Sequence, residues 1–343
     1  MRVTTHSGED TRAIREYLST SPSGTLYHDI RWLEVIRESF GHRTFYLVSE
    51  ETEGRVTGIL PLVHMKSIIF GNFLVSMPFF NYGGISAGDE ESKSLLLEES
   101  IRIAERVGAE YIEFRQTEPI DGNMPVKTGK VSMRLSLPGT VDDLWKSFPS
   151  KLRSQVRRPE KAGMIVKVGR EEELEGFYRV FSINMRALGT PVYPINFFRN
   201  ILEKFPEKIW ICTVYRLNKP VASGFLAGFM DTLEIPWASS IRRYNRMSPN
   251  MLLYWGSLSY AIERGYKIFD FGRSTPGEGT YRFKAQWGAK PVQLYWNYWL
   301  KDNGELPDVT PGNPKYKFAI EAWKKMPLKI TRFLGPRIVK FIP

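Results

Sequence analysis

Three ionisable residues stand where charges facing water rarely do. Lys284 lies midway along Thr280–Trp287, a stretch that can make a short helix, among Tyr281, Phe283 and Trp287. Asp270 interrupts the apolar run Lys267-Ile-Phe-Asp-Phe271, bounded by Gly265 and Gly272, which reads as a buried strand. Glu234 alternates with Leu233 and Ile235 on a further strand. A carboxylate held among apolar residues can accept a proton from an amine or hold a cation in place. A fixed cation can stabilise negative charge developing on an oxygen. Amide formation needs both, because the amine must lose a proton and the tetrahedral oxyanion must be stabilised. The plainer alternatives are a lysine whose stem packs on Trp287 while its ammonium reaches water, and a structural ion pair at Asp270.

Arg242, Arg243 and Arg246 crowd the loop before Pro249, where their side chains could bind an anion or form a solvated turn. Arg273 opens the loop Arg273-Ser-Thr-Pro-Gly-Glu-Gly279 that separates the Asp270 strand from the Lys284 helix. The four histidines, His6, His28, His42 and His64, are scattered, and no spacing suggests a metal site. The single cysteine, Cys212, excludes an intrachain disulfide and sits in an apolar run as a small core residue.

The elements that position these groups follow from periodicity. Residues 25–40, 91–107, 141–148, 150–162, 171–188 and 249–264 read as helices. Strands are expected at 44–49, 55–64, 73–80, 111–114, 164–168, 209–216, 220–229, 232–240, 267–271 and 291–300. The two halves echo each other. Val107-Gly-Ala-Glu-Tyr-Ile-Glu-Phe and Arg264-Gly-Tyr-Lys-Ile-Phe-Asp-Phe both place an acid, Glu113 or Asp270, inside a strand that follows a helix and a terminating glycine. The first half has no counterpart of Tyr281–Gly288, so chemistry is expected in the second.

Tyr281-Arg-Phe-Lys-Ala-Gln-Trp-Gly288 resembles the Y-x-F-K-x-x-[FW]-G motif of the FemABX peptidyltransferases. Phe269-Asp-Phe-Gly-Arg-Ser274, Leu188-Gly-Thr-Pro191 and Asn81-Tyr-Gly-Gly84 resemble the FemAB-like proteins of the PEP-CTERM/exosortase system. The resemblance implies an α/β (α+β) fold of two tandem GNAT-like (acyl-CoA N-acyltransferase-like) domains with mixed sheets. Their expected bounds are 1–138 and 139–300, with a basic segment, 301–343, returning to the first. It implies a catalytic Lys284 stabilising the oxyanion, Asp270 and Glu234 as candidate bases, and an acceptor site walled by Arg186, Thr190 and Tyr193. Arg243, Arg246, Arg273, Tyr281 and Trp287 complete the expected substrate contacts.

The implied activity is N-acyl or aminoacyl transfer to a cell-envelope or exopolysaccharide precursor. No tightly bound cofactor is expected; acyl-CoA or aminoacyl-tRNA are the candidate donors. Two features of the sequence bear on them. In Arg243–Ser248, Arg246 and Ser248 replace the small residues of the GNAT pyrophosphate loop, which disfavours CoA. No heptad run matches the coiled-coil arm that larger FemABX proteins associate with tRNA. An acyl-CoA-dependent N-acetyltransferase and a catalytically silent module binding an anionic lipid-linked glycan are the alternatives.

The net charge of +11 favours anionic partners. An anionic small molecule or lipid-linked glycan is expected, and DNA is not. Residues 315–343 hold eight Lys/Arg against Glu321 alone, with Phe318, Ala322, Trp323 and Met326 expected on one helical side. A peripheral contact with anionic lipid at the inner face of a membrane follows as an expectation for a cytoplasmic chain with no apolar span.

Overall fold

Alternating apolar strands assemble into two mixed sheets in the computed structural model, which describes residues 1–120, 122, 124–307 and 314–342. Unit 1 comprises Met1–Val131, Gln293–Thr310 and Lys340–Pro343; unit 2 comprises Ser132–Val292 and Pro311–Val339. In chain order the first elements are β1 (Arg2–Thr5), α1 (Arg12–Thr20), α2 (Arg31–Phe40), β2 (Arg43–Glu50), β3 (Val56–Ser67) and β4 (Gly71–Val75). β5 (Ser86–Ala87), α3 (Glu90–Val107), β6 (Tyr111–Gln116) and β7 (Val126–Lys127) follow. Asp89 caps α3 by accepting the Ser92 N–H at 2.8 Å, and Gly108 ends it in the left-handed conformation. Leu47, Leu60, Leu74, Leu96, Ile112 and Phe114 meet in the core between this helix and its sheet.

The second unit runs β8 (Val131–Ser136), α4 (Val141–Ser147), α5 (Ser150–Lys161), β9 (Met164–Gly169), α6 (Glu171–Leu188) and α7 (Ile195–Lys204). Then come β10 (Ile209–Arg216), β11 (Lys219–Phe229), β12 (Thr232–Ser240), α8 (Pro249–Glu263), β13 (Ile268–Ser274), α9 (Gly279–Ala285) and β14 (Lys290–Gln293). β15 (Tyr295–Leu300), α10 (Pro314–Lys325) and α11 (Leu328–Val339) close the chain.

The sheets share one plan. The first is ordered β1-β2-β3-β4-β6-β15-β7, with β5 paired to β3; the second, read the same way, is β9-β10-β11-β12-β13-β8-β14. Each contains a parallel pair, β4–β6 and β12–β13, joined across a helix, α3 or α8. The acid repeated in the sequence occupies the same place in both: Val75 pairs with Glu113, and Glu234 with Asp270.

The observed division differs from the expected one. The boundary falls at 131 rather than 138, because β8 leaves the first half and inserts between β13 and β14. The strand expected over 291–300 divides into β14 and β15, and β15 inserts reciprocally between β6 and β7. The tail returns only in part: residues 301–307 and 340–342 lie with unit 1, while α10 and α11 pack on α6 in unit 2. Residues 308–313 and 343 of that expected segment lie outside the described residues, as do the side chains of 303 and 314–316.

One buried group of unit 1 makes its stability depend on pH. His28 Nδ1 accepts the Thr25 N–H at 3.0 Å with the Thr25 hydroxyl 2.9 Å away, and Nε2 donates to the Gly84 carbonyl at 2.8 Å, so the neutral ring is fully partnered. Burial lowers its pKa from 6.5 to about 4. The unfolded chain binds that proton near pH 6.5 and the folded chain only near pH 4, so stability is lost as pH falls across this window. The loss amounts to about 3 kcal/mol in full. The urea midpoint is expected to drop between about pH 7.5 and about pH 5, and His28→Asn to flatten that dependence.

Candidate active site

Lys284 is a buried lysine, 7% exposed. The short helix that carries it is pinned by aromatic contacts on either side of the lysine: Phe283 lies 5.1 Å from Tyr254, and Trp287 meets Phe148 edge-on at 5.5 Å. Lys284 Nζ donates to the carbonyls of Gly272 and Arg273, each at 2.9 Å. Gly272 takes φ 74°, a conformation that glycine adopts without a Cβ penalty. Desolvation lowers the lysine's pKa to about 8, against the raising influence of Asp270 and Glu234; the Arg273 charge lowers it further.

The two carboxylates are register partners in the parallel ladder, which pairs Thr232–Glu234 with Ile268–Asp270. Partners in such a ladder face the same side of the sheet, and both side chains are buried. Asp270 is held from three directions. It accepts the Gly272 N–H at 2.8 Å, Arg134 Nε at 3.0 Å and the Ser132 hydroxyl. Ser132 and Arg134 come from β8, which the sequence reading missed. The alternation Val131-Ser-Met-Arg-Leu-Ser136 is a strand signal, but nothing local says which sheet the strand joins.

The remaining predicted residues divide. Tyr281 shares the Lys284 helix, Trp287 lies in the turn that follows it, and Arg273 is exposed. Trp287 helps line an apolar cavity of about 580 Å³ with Leu135, Leu144 and Phe148, and its buried indole N–H has no acceptor among the described residues. Arg186 and Arg243 line a separate groove of about 500 Å³ in the same unit. Arg179, Lys219 and Arg242 join them there, and among the described residues no carboxylate lines it. Arg179, Ile183 and Arg186 form one stripe of α6 at helical spacing, a signal present in the sequence but not used. Arg186 Nε is buried without an acceptor among the described residues. Thr190 closes α6 through its N–H to the Met185 carbonyl at 3.0 Å, and the Tyr193 ring belongs to an aromatic cluster with Phe181, Phe197 and Trp237. Neither lines the groove, nor does the exposed Arg246.

The loop before α8 does not fit a backbone cradle for a CoA diphosphate. It folds as a 3-10 turn, Arg242–Met247, with Ser248 in the left-handed conformation. The amides of Tyr244, Ser248 and Met251 bond to carbonyls of the loop itself, and Pro249 has no N–H to give. Among the described residues no group of His, Cys, Asp and Glu could hold a metal ion.

Fold and site together define a class: an α/β protein of two like units, with a lysine and two carboxylates where the second parallel ladder ends. Comparison with known proteins agrees with this. Residues 146–285 match the acetyltransferase (GNAT) domain family. The crystal structure of FemX is similar with a TM-score of 0.68 at 15% identity, over 93% of this chain and 100% of that one. The structure of L-PGS from Bacillus licheniformis gives 0.55 at 17% identity, over 95% and 97% of the two chains. A tandem GNAT protein from the clavulanic acid biosynthesis pathway gives 0.56 at 10%, over 89% and 99%. No curated protein sequence matches the chain. At these identities the likeness establishes the fold, two GNAT-like units with mixed sheets, as the sequence resemblance implied.

The depressed lysine has a measurable consequence. The unfolded chain keeps this proton up to about pH 10.5 and the folded chain only to about 8, so folded stability rises with pH between them. Below pH 8 the buried charge costs about 3 kcal/mol in full. Lys284→Met, which keeps the stem and removes the charge, is expected to melt no lower than wild type at neutral pH and to lack that alkaline rise. Asp270→Ala deprives Arg134 of this partner and is expected to cost about 3 kcal/mol. A Lys284→Met chain melting as low as Asp270→Ala would make the lysine a structural element.

Proposed function

We propose that the chain is an N-acyltransferase that forms an amide on an amino group of an anionic cell-envelope or exopolysaccharide precursor. The observation that carries this reading is the Lys284 ammonium. It is held by two backbone carbonyls among buried carboxylates, with one N–H left for a substrate oxygen. The GNAT-domain match and the acyltransferase-like fold support N-acyl transfer as the reaction class.

In this mechanism the acceptor nitrogen attacks the donor carbonyl carbon, and the carbonyl oxygen takes up negative charge opposite Lys284 Nζ. A cation already in place loses no reorganisation energy when that charge develops. Glu234 takes the amine proton. Asp270, whose oxygens already hold three donors, positions Gly272 and hence the carbonyls that aim the lysine. The donor's carbon–oxygen or carbon–sulfur bond then breaks, and the leaving group is protonated. The groove of Arg179, Arg186, Lys219, Arg242 and Arg243 supplies the charge that would hold a phosphate-bearing acceptor. The self-bonded loop before α8 favours an acyl donor other than CoA.

The test pairs acyl-CoAs and aminoacyl-tRNAs with amine-bearing nucleotide-sugar and lipid-linked glycan precursors, reading products by mass. With a productive pair in hand, Lys284→Met is expected to lower turnover by about 10²–10³-fold with little change in KM. Wild-type turnover should fall as pH rises through about 8, where the ammonium loses its proton. Unchanged turnover in Lys284→Met would remove the lysine from the chemistry.

A further inference from the structure

The last two helices hold large apolar side chains in water, surrounded by cations. α11 is two-sided. Thr331, Gly335 and Val339, spaced by four, are buried. Gly335 is required there, because a Cβ would come within 2.8 Å of the Val192 nitrogen. Arg332 ties the helix to α6 with two hydrogen bonds to Ser182 Oγ, at 2.9 and 2.7 Å. The opposite face presents Lys329, Ile330, Phe333 and Arg337, all exposed; Ile330 is 45% and Phe333 62% open to solvent. α10 repeats the arrangement. Trp323 is buried and Ile320 lies against Gly189, while Phe318, 87% exposed, points outward with Lys317 and Lys325.

We propose that these outward faces of α10 and α11 form a docking surface for an anionic lipid bilayer. Charge complementarity selects this occupant. Glu321 is the one acid from residue 314 to 342, and its carboxylate is already paired with Lys324 at 2.6 Å. Lysine is depleted at the centre of protein–protein interfaces, whereas interfacial membrane helices combine Phe or Leu with flanking Lys and Arg. Each Lys or Arg brought near an anionic leaflet strengthens binding about fivefold. At 12 residues each, these helices are too short to span a bilayer and would lie on it. The surface is independent of acyl transfer, so Lys284→Met should leave it unchanged.

Co-sedimentation of the full chain with vesicles of phosphatidylcholine and phosphatidylglycerol, against phosphatidylcholine alone, tests the proposal. Binding is expected only to the anionic vesicles and to weaken with salt. Phe318→Ser with Phe333→Ser should lower it roughly tenfold, and Lys325→Glu, Lys329→Glu and Arg337→Glu together roughly a hundredfold. All five side chains are exposed, so circular dichroism and melting temperature should match wild type. Absence of vesicle binding, equal binding to neutral vesicles, or binding insensitive to either set of substitutions would overturn the proposal. A concentration-dependent dimer lost with the Phe substitutions, without vesicle binding, would assign the face to a second copy and overturn it as well.

Discussion

Burying an ammonium group is the constraint around which the second unit is built. Desolvation pushes Lys284 toward its neutral form, and the surrounding structure opposes that with oriented dipoles and nearby charge. Gly272 in the left-handed region supplies one carbonyl and Arg273 the next, while Asp270 fixes the turn through the Gly272 N–H. Asp270 is itself fixed by Arg134 and Ser132, so the arrangement extends back to β8. The aromatic contacts of Phe283 and Trp287 set the position of α9. Carbonyl oxygens hold the nitrogen without cancelling its charge, which leaves a cation available to a substrate oxygen.

The first unit shows the same architecture put to another use. Glu113 occupies the place of Asp270, but its carboxylate is bound by Arg115 Nε at 2.7 Å and the Tyr298 hydroxyl at 2.7 Å. Burial and the Glu113 charge raise the Tyr298 pKa, keeping the hydroxyl protonated. Arg115 in turn lies over the Trp296 ring at 4.4 Å. This group is closed and fully engaged, as a structural ion pair is expected to be. The duplicated plan therefore retains the buried acid in both units, held by Arg115 in the first and by Arg134 in the second.

The chain's excess positive charge is concentrated in particular places. Five cations surround one groove in unit 2, and others ring the outward faces of α10 and α11. Charges gathered on one groove focus the field and attract anions more effectively than the same charges spread over the surface.

Much of this was legible in the sequence because it is local. A lysine among aromatics and an aspartate inside an apolar strand are exceptional within a few residues, so Lys284 and Asp270 could be singled out; glycines at 108, 265 and 288 marked element ends because only the αL conformation or a cap requires them there. Other features depended on contacts between distant segments. Strand alternation says that 131–136 has two faces but not which sheet receives it, and Ser132 and Arg134 reach Asp270 only because β8 joins the second sheet. Helical spacing suggested a shared side for Phe318 and Trp323, yet in the helix packed on α6 the tryptophan is buried and the phenylalanine lies in water. The sequence by itself determined which residues carry charge into apolar surroundings and how the short elements begin and end. Tertiary structure alone decided which of those charges meet, because ion pairs, register partners and the covering of a helix face are set by residues remote along the chain.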